Sequence, residues 1–425
     1  MVRESQQSPT PEKILLRGAR QLITLQGPGG PRRGAALNEL GIIRDGALLL
    51  QAGKILEMGP SRRLENLTVV RGAREIDAAG RVIMPGFVDG RTRLLIPEAR
   101  PGFAEDVAPD AHLWDPLEKL AALPSGRLQA KAQTVLARMA RHGTTTASAV
   151  TIPGLGRSAA LKALRIFAGA EGKPVSVIPT LYLAPFLRAG VPSGVPADVP
   201  ADPESEIGSL CDEWLPVIAH RNLARFVEVD CEAFELPAAR RYLECAGNLG
   251  FGLRVHAGAF TAAVRLALER RAASVILDDV SANEIVALAG SGTAALLAPL
   301  ARRAKSYALA RALIDGGVAV ALASGFGLEH SSTYNMQMVI ALACSEMGMS
   351  PAEAISAATI NGAYALGCGD RCGSLQPGKR ADLVMLNVED YREIVHQPGV
   401  NHVHMVVKNG AVVYQEGEVA GCSGR

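Results

Sequence analysis

Three short β-type runs end in side chains able to do acid–base or metal chemistry. IMPGFVD at 83–89 continues into Gly90, Arg91, Thr92 and Arg93; RFVEVDC at 225–231 carries Glu228 and Asp230 with Glu232 next; GLRVHAG at 252–258 carries His256. Residues two apart on a strand face the same side, so Arg91 and Arg93 project into one volume if the first strand continues past Asp89, and are solvated loop residues if it ends there. Burying the apolar alternates of the first run favours the inward placement of both arginines over the loop alternative. Acids on one strand could supply a general base, and a buried guanidinium needs a carboxylate, so at least one Arg–carboxylate pair is expected between Arg91 or Arg93 and Asp89, Glu228 or Asp230. A catalytic Zn²⁺ requires about three protein ligands and an open position for water. Only one histidine, His256, ends such a run. His112, His330 and Glu329 would complete an N/O set with it, but their spacing matches no known constellation. Cys231 and Ser324 are nucleophile candidates with no histidine adjacent in sequence, which leaves a Ser or Cys triad unsupported. Cys368 and Cys372, a C-x3-C pair without a second ligand pair, read as packed thiols.

The elements that must position these residues follow from the apolar pattern. Eight runs have the character of buried strands: 83–89, 145–150, 175–183, 225–231, 252–258, 273–278, 293–299 and 318–325. Helical patterns fall between them at 127–141, 236–248, 282–290, 302–315 and 351–366. Strands alternating with helices imply βα units around a parallel sheet, and eight is the closed-barrel number, so residues 81–370 are expected to form an α/β fold, a (β/α)8 TIM barrel. Its sites would lie at the C-terminal ends of the strands. Residues 13–80 and 371–425 share a texture of short β runs and turns, which points to one small composite β-sandwich domain made by both termini. Residues 1–12 read as a disordered tail, and AGVPSGVPADVPADP at 189–203 as a long loop at the barrel's C-terminal face.

Composition narrows the function classes. The 425 residues are 48% apolar with 44 glycines and 25 prolines, as expected of a packed chain with many turns. A net charge of +2, from 44 basic and 42 acidic residues, supplies no field for nucleic acid or an anionic membrane. No run of 18 apolar residues occurs, and the polar start lacks the apolar centre of a secretory signal, so the expected location is cytoplasmic. Seven scattered cysteines read as reduced thiols.

The motifs also carry a resemblance. VIMPGFVDGRTR at 82–93 resembles the first barrel strand of amidohydrolases, usually PGFVDxHTH, and RHGTTT at 141–146 resembles the start of their second. GLRVHAG, SANEIVALAGSGTAALLAP at 281–299, GVAVALASGF at 317–326 and the stretch 333–382, ending GSLQPGKRADL, are similar to imidazolonepropionases. The resemblance covers roughly residues 35 to 415. It implies a barrel with a β-sandwich, one Zn²⁺ or Fe³⁺, and hydrolysis of a cyclic C–N bond. It also implies where the ligands should stand. The family's two first-strand histidines fall on Arg91 and Arg93, its third on His256, its water-positioning histidine on Ile276 and its eighth-strand acid on Gly325. A guanidinium has no lone pair to offer a metal. The positions that support the family's chemistry depart too, being Gly258, Ala259, Pro153 and Pro185, whereas Arg100 matches an arginine that would hold a substrate carboxylate. The expectation is therefore a degenerate homologue with no cofactor and no assigned catalytic residue. It would keep a pocket of Asp89, Arg91, Arg93, Arg100, Glu228, Asp230 and His256 for a small anionic ligand. An active C–N hydrolase with a rebuilt site is the alternative; a homo-oligomer, or a subunit partnering an active homologue, is left open.

Overall fold

In the computed structural model the described residues are 12–417, apart from 97–118, 153–155, 171, 173, 184–202, 233, 301–305, 328–330 and 332. Arg100, His112, Glu329, His330, Pro153 and Pro185, and nearly all of the 189–203 loop, lie outside them.

The chain opens with β1 (Lys13–Ile23), β2 (Ile42–Gln51), β3 (Lys54–Pro60), β4 (Arg74–Asp77) and β5 (Val82–Pro85). The barrel strands follow as β6 (Phe87–Thr92), β7 (Thr144–Val150), β8 (Ser176–Leu183), β9 (Phe226–Asp230), β10 (Gly252–Gly258), β11 (Ser274–Leu277), β12 (Ala294–Leu297) and β13 (Val320–Leu322). The chain then returns to the first unit with β14 (Leu383–Leu386), β15 (Val403–Lys408) and β16 (Ala411–Gln415). The first unit is one sheet in the order β16-β15-β14-β5-β1-β2-β3, with β4 also on β1. It folds over on itself: the β2–β3 turn at Gly53 packs against Asn409 and Gly410 of the β15–β16 turn.

The sequence-expected strand 83–89 proves to be two strands. Val82–Pro85 pairs with β1 and β14 in the outer sheet, and the barrel strand starts only at Phe87. Gly86 makes the corner, where a Cβ would come within 2.2 Å of Thr145.

β6 to β13 form a parallel sheet in sequence order. Its ends meet: Gly325 N–H donates to Arg91 O at 3.0 Å and Arg93 N–H to Phe326 O at 2.9 Å, closing the barrel. Strand alternation then sorts the side chains. Val227, Val229, Leu253, Val255, Val275 and Leu297 point outward into the core shared with the helices. The helix Ser125–Arg141 contributes Leu128, Ala132, Val135, Leu136 and Met139, the i, i+4, i+7 spacing of one face. The intervening residues fill the barrel. Those of β11 to β13, Ile276, Ala294, Leu296 and Ala321, form an apolar cluster. Those of β6 to β10 are mostly polar, apart from Val88 and Ile178, which pack by Cys368 and Cys372, and the candidate site grows from the polar ones.

Candidate functional site

Glu228 sits at the centre of the polar half with no exposed surface. Its Oε1 lies 2.6 Å from Arg91 Nε and 2.6 Å from Arg91 Nη2, and its Oε2 lies 3.3 Å from Arg254 Nε. Arg254, fully buried, also donates from Nη1 to Ser148 Oγ at 2.7 Å and from Nη2 to the Gly90 carbonyl at 3.0 Å. Ser148 in turn bonds Thr180 at 3.0 Å. One carboxylate therefore serves two guanidiniums. Burial alone would push the Glu228 carboxyl up, but Arg91 and Arg254 hold it below the usual glutamate range.

A second layer lies against this one. The Arg91 guanidinium stacks 4.8 Å from the centre of the Tyr182 ring, and the Tyr182 hydroxyl donates to Asp230 Oδ2 at 2.9 Å. The same oxygen meets His256 Nδ1 at 3.2 Å. His256 is only 4% exposed, and burial would lower its pKa, yet the hydrogen bond to Asp230 raises it above the ordinary imidazole value. Asp230 is correspondingly held low, its burial outweighed by His256 and Tyr182.

Asp89 does not reach across the barrel. It caps the barrel's closing seam, accepting from Ser324 Oγ at 2.5 Å, Ser324 N at 2.9 Å and the Arg91 amide at 3.2 Å. Complete burial outweighs these bonds and pushes its carboxyl up to about 6. Ser324, a nucleophile candidate by sequence, is thus a donor to a buried acid.

Arg93 differs from the expectation that it shares one volume with Arg91. The β6–β7 register shifts between Asp89 and Thr92, which breaks the alternation, and Arg93 Nη1 donates to the Gly327 carbonyl at 2.8 Å. Arg91 alone of the pair reaches Glu228. Arg254 and Tyr182 were missed by sequence reasoning. The signal for Arg254 was present, since it stands two residues before His256 on β10 and so shares its inward face. Tyr182 offered less, because its role depends on which strand lies beside β8.

Of the five positions where the resemblance puts the metal site, only His256 offers an ion a lone pair. Arg91 is a buried cation already bonded to a carboxylate, Arg93 is another cation, Gly325 has no side chain, and Ile276 packs among Ala294, Leu296 and Ala321. A different set is nearby: Glu232, His256 and Asp278 each bring a ligand atom to within 4.8 Å of the others. Gly258, at φ +54°, leaves the room that the Glu232 carboxylate occupies, since a Cβ there would lie 2.0 Å from Glu232 Oε1. Beside them opens a depression of about 700 Å³ lined by Cys231, Glu232, Phe234, Glu235, Ala259 and Phe260.

Comparison with known proteins agrees with this architecture. Residues 235–413 match the family model described as "Amidohydrolase family". An imidazolonepropionase of Chloroflexus aggregans is 34% identical over 95% of this chain and 99% of its own length. The chain belongs to the imidazolonepropionase family of amidohydrolases. A second imidazolonepropionase, from Solibacter usitatus, is 35% identical over 94% of this chain and 98% of its own. A crystal structure described as a putative prolidase from Bifidobacterium longum superposes with a TM-score of 0.67 at 18% identity, covering 96% of each chain. That likeness concerns the fold, a (β/α)8 barrel with a second β unit. Among the described residues no helix is long and apolar enough to cross a membrane.

Proposed function

We propose that this family member does not carry out the metal-dependent hydrolysis its imidazolonepropionase relatives are named for, and that its barrel mouth is a binding pocket. The observation that carries this reading is the Arg91–Glu228–Arg254 cluster. A covalently attached cation stands at a family ligand position, fixed by a fully buried carboxylate. Without a Lewis acid there is no low-pKa water, and neither Ile276 nor Gly325 can position or deprotonate one. Two guanidiniums sharing one carboxylate favour a small anion, a carboxylate or phosphate, as the ligand class.

The direct test is imidazolone propionate hydrolysis by protein purified without a metal-binding tag, with and without added Zn²⁺ or Fe³⁺. No turnover above an Arg91→Met control is expected, and turnover abolished by a chelator would overturn the reading. A second reading, a C–N hydrolase with a rebuilt site, is favoured by the Glu232–His256–Asp278 cluster. Thermal shift separates the two. Stabilisation by phosphate or small carboxylates that is lost in Arg91→Met supports the anion pocket. Stabilisation by a stoichiometric divalent cation that is lost in His256→Ala supports the rebuilt site.

A further inference from the structure

The opposite end of the barrel holds a second cluster that the mouth does not use. Cys368 and Cys372 lie on the segment that leaves the last barrel helix, Gly362–Ala365, and returns the chain to β14. The Cys372 amide donates to the Cys368 carbonyl at 3.0 Å, and this tight turn brings the two Sγ atoms to 3.5 Å, in contact but unbonded. They are 4% and 3% exposed and pack on Val88, Ala363 and Leu366. A disulfide needs sulfurs about 2.05 Å apart, so roughly 1.5 Å of closure suffices. Gly367 and Gly373, at φ +61° and +83°, flank the pair where backbone adjustment is least restricted.

Both thiols also border a cavity of about 370 Å³ at the N-terminal ends of β7 and β8. Arg225, Arg371 and Arg380 line it with them, so the one approach to these buried sulfurs that the cavity provides is cationic. The pair is also polarised: the Cys368 thiol, as hydrogen-bond partner, holds Cys372 below the ordinary thiol value. Cys211, which interacts with Cys245, is instead pushed up to about 12 by burial.

We propose that Cys368 and Cys372 form a redox-active dithiol that reacts with a small anionic disulfide entering the arginine-lined cavity. In the first step the Cys372 thiolate attacks one sulfur of R–S–S–R. A Cys372–S–S–R bond forms and RS⁻ leaves, taking up the proton Cys372 released. Cys368 then loses its proton and attacks Cys372 Sγ, expelling the second RS⁻, which that proton neutralises. The sum is two protein thiols and R–S–S–R giving one protein disulfide and two R–SH, with the two protein sulfurs oxidised and the small disulfide reduced. The arginines serve by raising the local concentration of an anionic R and by favouring thiolate.

The test treats the full-length protein with glutathione disulfide, and separately with the cationic disulfide cystamine, followed by acid quench, alkylation and peptide mapping. A Cys368–Cys372 disulfide is expected to form ahead of any bond at Cys211, Cys231, Cys245 or Cys344. Arg371→Ser with Arg380→Ser should slow the glutathione reaction at least about threefold while leaving the cystamine rate unchanged or faster. Cys368→Ser should stop at a mixed disulfide on Cys372, and Cys372→Ser should yield neither product. Preferential oxidation at Cys211 and Cys245, unmodified Cys368 and Cys372 in the folded wild type, or arginine variants that alter both rates equally would each overturn the proposal.

Discussion

Glu228→Gln keeps the shape of the side chain at the barrel's centre and removes its charge. In the native protein that fully buried carboxylate lies 2.6 Å from Arg91 and 3.3 Å from Arg254. Removing one member of a buried pair costs roughly 3–5 kcal/mol, because the partner is left as an uncompensated charge. Two partners are stranded here, which argues for the upper end. Arg254 retains Ser148 and the Gly90 carbonyl, and Arg91 retains the Tyr182 ring, a cation–π contact worth about 2 kcal/mol when desolvated, which argues for the lower. A loss of about 3–4 kcal/mol is therefore expected. The assay is urea unfolding followed by tryptophan fluorescence and far-ultraviolet circular dichroism together, since a two-unit chain need not unfold in one step. Adding Arg254→Met to Glu228→Gln removes one stranded charge and should recover part of the loss, a non-additivity of at least about 1 kcal/mol. A Glu228→Gln protein within about 1 kcal/mol of wild type, or strict additivity in the double variant, would refute the claim that this carboxylate holds the cluster together.

Two further predictions follow from the titrating groups. Asp89 has a folded pKa of about 6, above its unfolded value, so its contribution to stability is fully present below about pH 4 and is lost as pH rises through 6. The difference in unfolding free energy between wild type and Asp89→Asn should fall by up to about 3 kcal/mol from pH 4 to pH 7, and a flat difference would contradict it. His256 should titrate above the ordinary imidazole value of about 6.5 by NMR, and lower than in wild type in Asp230→Ala, which removes both the carboxylate charge and the hydrogen-bond acceptor; an unchanged value would contradict it.

How far the sequence reached depends on whether a feature is local. Eight barrel strands were legible because each is a short apolar run whose outward alternates had to be buried against helices, as Val227, Val229 and Val255 are. The inward placement of Glu228 and His256 followed from the same period of two. The choice of partner was not legible. Which of Asp89, Glu228 and Asp230 would take Arg91 depends on which strands face each other across the barrel and on the register shift in β6, neither of which is written in a single strand. The break between β5 and β6 was hidden for a related reason. Residues 83–89 read as one apolar run, and only the competing partners β1 and β14 assign its first half to the outer sheet.

The same interlocking predicts that the ligand set the resemblance implies is not recovered by restoring its residues. Arg91→His, Arg93→His, Ile276→His and Gly325→Asp together would rebuild the set on paper. Removing Arg91, however, leaves Glu228 with Arg254 alone, and Arg254 is held by Ser148 and Gly90, at a longer distance from the carboxylate than Arg91 was. Ile276→His places an imidazole among Ala294, Leu296, Ala321 and Ala323, where burying a polar group without a partner costs about 1–3 kcal/mol. Gly325 has φ +62°, a left-handed conformation costing a side-chain-bearing residue about 1 kcal/mol, and its amide is committed to Arg91 O at the barrel seam. The penalties fall on residues in contact and share the stranded charge. The quadruple variant should therefore be less stable than wild type by at least about 3 kcal/mol, and should take up well under one equivalent of Zn²⁺ by elemental analysis after dialysis. A stable variant carrying a full equivalent would mean that the barrel interior tolerates the family's site as it stands, and that the arginine–carboxylate cluster is an addition to the family's chemistry rather than its replacement.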